Sequence, residues 1–159
     1  KLMAAGDNLW TAASDGDGAR VRFLLESGGH KTMDRDESGY TCLHAAASYA
    51  HLALLEYLLS RPDCDLGAQD DDGDTPLHVS ITRTSSNASS QVCEDVPAAK
   101  LLVDAGASVT ALNNVGLTPA ALAEQEGHAA LAKYLLQRTA ELHGSEPSGG
   151  EEPSTKRRR

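Results

Sequence analysis

The chain has 159 residues and a mass of 16.7 kDa, enough for one compact domain and short for two. Apolar residues make up 40% of it and charged residues 23%, and no apolar stretch approaches the roughly 20 residues that cross a bilayer, which excludes a membrane-spanning helix. The net charge of −9 is uneven, because residues 144–159 carry three of the 23 acids and four of the 14 bases, leaving 20 acids against 10 bases in residues 1–143. Such a body repels phosphate, so no direct binding of nucleic acid is expected.

Helical pairs follow one another in chain order. Asn8-Leu9-Trp10-Thr11-Ala12-Ala13 opens a first short helix, a turn follows at Gly16, and a second amphipathic segment carries Leu24-Leu25 and ends near Gly29. The next unit repeats the plan with more signal. Thr41-Cys42-Leu43-His44-Ala45-Ala46 gives an inner helix, Ala50 the turn, Leu52-Ala53-Leu54-Leu55-Glu56-Tyr57-Leu58-Leu59 an outer helix, and Pro62 the stop. Thr75-Pro76-Leu77-His78-Val79-Ser80 and Thr118-Pro119-Ala120-Ala121-Leu122-Ala123 start two further inner helices, and Leu101-Leu102 and Leu135-Leu136 mark their outer mates. Threonine supplies a cap, proline is preformed for the first turn, and the Leu and Ala positions share one helical face. The second leucine of each pair precedes the next threonine by 16 residues in all three cases: Leu25 to Thr41, Leu59 to Thr75 and Leu102 to Thr118. About 10 residues between units, turning at Gly39, Gly73 and Gly116, make projecting hairpins.

The period breaks once. Leu9 to Leu24, Leu43 to Leu58 and Ala120 to Leu135 each span 15 residues, whereas Leu77 to Leu101 spans 24. Nine added residues fall in Thr82-Arg83-Thr84-Ser85-Ser86-Asn87-Ala88-Ser89-Ser90-Gln91, which reads as a flexible loop between inner and outer helices. Arg83 stands three residues before Ser86, a spacing that basic-directed kinases accept.

These repeated blocks resemble those of an ankyrin-repeat protein over roughly residues 4–142. The run Cys93-Glu94-Asp95-Val96 after Asp72-Gly73-Asp74-Thr75-Pro76-Leu77-His78 is further similar to small stand-alone, fungal-type members. The fold class implied is all-α: an ankyrin-repeat solenoid of four helix-pair units with β-hairpin-like connecting fingers. Its units are expected at about 4–36, 37–70, 71–113 and 114–142, with a loop insertion at 82–93, in a domain spanning 1–143. Residues 144–159 form a tail of disorder-prone composition ending in Lys156-Arg157-Arg158-Arg159. Departures from the pattern are Cys42 for Pro, Ala50 and Asp63 for Gly, and Ala121 for His, where local stability is expected to drop.

Candidate chemistry is thin. By the resemblance His44, His51, His78 and His128 hydrogen-bond turns within and between units, and His30 and His143 have no Cys or His at ligand spacing. Cys42-x-His44 lacks a third orienting group. Asp70-Asp71-Asp72-Gly73-Asp74 fails as a calcium loop, since Ala68 and Val79 would occupy its first and last ligand positions. Cys42, Cys64 and Cys93 are an odd set without Cys-x-x-Cys and with no secretory signal ahead, so no disulfide framework or zinc site is expected and a reducing compartment is. No cofactor, no metal and no catalytic residue is therefore assigned.

Repeat stacks offer a concave surface of hairpin tips and inner-helix faces. The partner-contacting positions of the family map here to Glu37, Ser38, Tyr40, Ser48 and Tyr49, then to Asp71, Asp72, Asp74, Thr82 and Arg83, and then to Asn114, Val115, Leu117, Gln125 and Glu126, with Ser14 and Asp15 at the first unit. The expected function is stoichiometric binding of a basic protein or peptide by a cytoplasmic monomer acting as adaptor, inhibitor or assembly subunit. The alternative is a nuclear partner of DNA-associated machinery imported through the basic tail.

Overall fold

The structure, a computed structural model, describes residues 8–87 and 96–144. They form eight helices in four pairs: α1 (Leu9–Ser14) with α2 (Gly18–Glu26), α3 (Cys42–Ser48) with α4 (Leu52–Leu59), α5 (Pro76–Asn87) with α6 (Pro97–Asp104), and α7 (Pro119–Gln125) with α8 (Ala129–Gly144). No strand occurs among the described residues. Inner helices stack in a row, α1 on α3, α3 on α5 and α5 on α7, and α4 packs on α6 behind them.

Each inner helix begins where a side-chain oxygen replaces a missing turn of hydrogen bonds. Asn8 Oδ1 accepts from the Thr11 amide at 2.6 Å, Thr118 Oγ1 from Ala121 at 3.2 Å, and Thr41 and Thr75 Oγ1 from His44 and His78, both at 3.4 Å. The two histidines also reach back, their Nδ1 accepting from the Thr41 and Thr75 amides at 3.2 and 3.3 Å. The outcome is a capping box in which histidine plays the part usually taken by glutamate.

The leucine doublets face inward. Leu24, Leu25, Leu58, Leu102 and Leu135 are buried, and Leu59 and Leu101 pack half-buried against the same core. A fully buried leucine contributes about 1.5–3 kcal/mol, and a single pair of helices has no second surface to bury it against. Leu136 marks the rule's limit: it is 51% exposed, in the last pair described.

Two expectations need correcting. The segment from Thr82 does not start a loop, because α5 continues to Asn87 and is 12 residues long against seven for α3 and α7. A left-handed residue follows the other inner helices at Gly16, Ala50 and Gly127 (φ +74°, +55° and +86°). The corresponding place in the third unit is held by Thr84, so nothing forces the helix to stop there. The rest of the expected insertion up to residue 93, and the tail from 145 onward with Lys156–Arg159, lie outside the described residues.

The second correction is Asp63, which is no weak point. Its carboxylate accepts from the Thr32 amide at 3.3 Å and pairs with Arg61 Nε at 3.1 Å, while its carbonyl accepts from Thr32 Oγ1 at 2.5 Å. Partial burial pushes the carboxyl pKa up, but the Thr32 and Arg61 bonds outweigh it and hold the group below the usual value. Asp63 thus ties the start of the first finger to the end of α4.

Candidate protein-interaction face

Three fingers project between the helix pairs, and each is closed by the same device. Asp36 Oδ1 accepts from the amides of Ser38 and Tyr40, both at 2.9 Å. Asp70 Oδ1 accepts from Asp72 and Asp74 at 3.0 and 2.9 Å, and Asn113 Oδ1 from Val115 and Leu117 at 3.2 and 2.9 Å. Main-chain bonds back this up, from Asp36, Asp70 and Asn113 amides to the Tyr40, Asp74 and Leu117 carbonyls at 2.9, 3.0 and 3.1 Å. An Asx side chain able to bond two amides ahead is what a tight turn requires. Asp36, Asp70 and Asn113 are therefore structural, and their recurrence before Gly39, Gly73 and Gly116 was the signal in the sequence that could have shown it.

Neighbouring fingers are bonded to one another. The Asp71 amide donates to the Ser38 carbonyl and the Asn114 amide to the Asp72 carbonyl, each at 3.0 Å. Asn114 Nδ2 reaches the Asp71 carbonyl at 2.8 Å, Gln69 Nε2 the Leu112 carbonyl at 3.0 Å, and Asn113 Nδ2 the Asp74 carboxylate at 2.9 Å. At the base, His44 Nε2 meets the Asp74 carbonyl at 2.9 Å and His78 Nε2 the Leu117 carbonyl at 3.1 Å. Because each Nδ1 accepts an amide proton, each Nε2 carries the hydrogen and donates it. Burial lowers the His44 pKa, keeping the ring in that neutral form. His51 does the same work between the first two units, its Nε2 lying 2.7 Å from the Ser14 carbonyl.

On this frame the candidate contact residues separate. Glu37, Ser38, Asp71, Asp72 and Asn114 are exposed along the tips, and Val115 is 78% exposed. Tyr49 is 45% exposed at the end of α3 and stacks on His51 with centroids 6.2 Å apart. Asp15 and Gln125 are exposed and Ser14 and Glu126 half-buried. Tyr40, Asp74, Thr82 and Leu117 are half-buried, with Tyr40 tilted against His44 at 5.0 Å and Thr82 Oγ1 donating to the Val79 carbonyl at 3.3 Å. Ser48 differs from expectation, being 3% exposed at the last position of α3, so it offers no contact surface. Arg83 lies within α5, with its side chain outside the description. Leu112, 55% exposed beside Val115, was missed by sequence reasoning because it precedes the finger's turn. The face is thus acidic across the first two fingers and apolar at the third.

Cys42 and Cys64 are the cysteines among the described residues, Cys42 buried and Cys64 half-buried. Burial pushes the Cys42 thiol up to about 12, and burial followed by the Asp63 and Asp65 charges pushes Cys64 up to about 11. A thiol so far from ionisation is a poor nucleophile at neutral pH. Among the described residues no three His, Cys, Asp or Glu side chains are grouped to hold a metal ion, and no helix is long and apolar enough to cross a membrane.

Stacked helix pairs carrying bonded fingers define a repeat scaffold. Family profiles described as "Ankyrin repeats (many copies)" and "Ankyrin repeats (3 copies)" match residues 24–80 and 62–146. An ankyrin repeat-containing protein of Schizosaccharomyces pombe is 40% identical over 134 residues, which cover 83% of this chain and 58% of that protein. Diacylglycerol kinase zeta of Rattus norvegicus is 31% identical over 137 residues, 86% of this chain and 14% of the kinase. The nuclear factor NF-kappa-B p105 subunit of the same species is 31% identical over 147 residues, 89% of this chain and 14% of that protein. The chain belongs to the ankyrin-repeat family and is a protein-protein interaction module, in a family that is generally non-catalytic. It spans little more than half the length of the fission-yeast relative and a small part of the other two.

Proposed function

We propose that the finger-and-inner-helix face binds a protein or peptide rich in basic residues, by stoichiometric binding, as adaptor, inhibitor or assembly subunit. The observation that carries this is the row of exposed carboxylates at Glu37, Asp71 and Asp72 on fingers whose backbones are locked together. Locked fingers lose little freedom on binding, which favours affinity. Tyr49 supplies a rigid amphipathic anchor at the inner-helix end. Exposed charge pairs contribute only about 0–1 kcal/mol each, so the acids govern encounter rate and partner choice more than final affinity.

Affinity capture of partners with the intact chain, compared with Asp71→Asn/Asp72→Asn and Tyr49→Ala variants, tests the reading. The captured protein is expected to carry a basic segment, to be lost or reduced with both variants, and to bind several-fold more weakly at about 300 mM salt than at about 50 mM, where screening is less. Affinity indifferent to salt and to the Asp substitutions overturns it.

A further inference from the structure

His44 and His78 each donate Nε2–H to the carbonyl of the residue before the next unit's threonine, which makes a ladder from finger to finger. Trp10 holds the same register in the first unit. Its indole Nε1 is shielded by the protein, yet has no hydrogen-bond partner. The ring sits edge-on to His30, with centroids 6.1 Å apart and planes at 79°. A buried donor left unmatched is costly, and native structures satisfy nearly all of them.

Trp10 also lines a depression of about 590 Å³ with Asn8, Arg35, Asp36, Glu37 and Ser38, where the first finger meets the start of α1. Arg35 is turned toward the second finger, where it donates to the Gln69 carbonyl. Asp36 keeps one oxygen on the Ser38 and Tyr40 amides. Glu37 and Ser38 are exposed at the rim. Two carboxylates against one guanidinium leave the rim negative, and the indole face favours a cation over an anion.

We propose that this depression is the anchor subsite for one basic side chain, lysine or arginine, of an extended partner segment; the assignment rests on the basic-partner reading above. The indole Nε1–H is shielded within the protein and out of a partner's reach, so the part of the ring that lines the depression makes the contact. The basic side chain's aliphatic stem lies along the indole and its cation meets Glu37, with Asp36 behind. The first unit thus differs from its neighbours because a tryptophan that faces a ligand replaces a histidine that faces the next finger.

Trp10 is the sole tryptophan of the chain, so its emission reports on this site alone. Unlabelled nona-arginine is titrated into the intact protein at low salt, with calorimetry and tryptophan emission followed together, in the wild type and in Glu37→Gln. The expected result is a saturable emission change with the calorimetric midpoint, weakened about two- to five-fold by Glu37→Gln, as the loss of one exposed charge pair allows. Binding heat without an emission change, or the same emission response in Glu37→Gln, overturns the subsite and leaves the face intact. No binding heat overturns both, and an equal emission response to nona-glutamate overturns the charge assignment.

Discussion

Replacing Gly73 by alanine should cost far more than the same change at Gly116, although both sit at the same turn position with φ of +76° and +84°. In each case an L side chain is forced into the left-handed region, at roughly 1–2 kcal/mol. The loss of about 0.4–1 kcal/mol of unfolded-chain freedom offsets part of this, leaving about 1 kcal/mol at Gly116, where an added Cβ meets nothing. At Gly73 the Cβ would lie 2.5 Å from Asn114 Oδ1 and 2.6 Å from the Asn114 amide nitrogen. Backbone cannot swing aside as a side-chain tip can, so the third finger must be pushed off the second. That threatens the Asn114 amide bond to Asp72 and the Asn114 Nδ2 bond to Asp71, at about 0.5–1.5 kcal/mol each. Gly73→Ala is expected to destabilise by about 2–4 kcal/mol in urea unfolding followed by far-ultraviolet circular dichroism. Equal losses at Gly73 and Gly116 would refute the stacking of the fingers.

Three further outcomes are expected. Ala50 is the one described non-glycine residue at positive φ, at +55°, so Ala50→Gly should stabilise by about 0.5–1 kcal/mol in the same assay, and a loss of stability counts against the strain. Since burial holds the His44 pKa below its ordinary value, the unfolded chain takes up that proton first, at about pH 6.5. Stability should therefore be full above that pH and fall below it, by up to about 1.4 kcal/mol per pH unit for this one group; equilibrium unfolding at stepped pH checks this, and a profile equally steep in His44→Gln would reassign it. With thiols pushed up to about 12 and about 11, Cys42 and Cys64 should alkylate with iodoacetamide at neutral pH much more slowly than free cysteine, as peptide mass spectrometry would show; rapid labelling of Cys42 would reopen a nucleophilic role.

What could be read in advance follows from local chemistry. Threonine caps, leucine doublets and glycine-bearing turns each act within a few residues, so Thr41, Leu58 and Gly73 declared helix starts, buried faces and fingers without any knowledge of packing. Thr82–Asn87 misled because hydroxyl-rich residues without periodicity tolerate both loop and helix, and what decides is the missing left-handed residue after the inner helix. Which residues are exposed on the candidate face was only partly legible. Glu37, Asp71, Asp72 and Val115 are exposed on the fingers, but Ser48 is buried by its stacked neighbours and Leu112 is exposed on the third finger.

The sequence by itself determined the repeat, its four-fold recurrence and the acidic bias of the face, because periodicity and charge are properties of the chain in any conformation. Tertiary structure decided which polar groups remain available. Asp63, Asp70 and Asp74 hold the frame while Asp71 and Asp72 look outward. Five aspartates can be alike in composition and opposite in role, since a carboxylate is usable by a partner only when the folded backbone has not already claimed its oxygens.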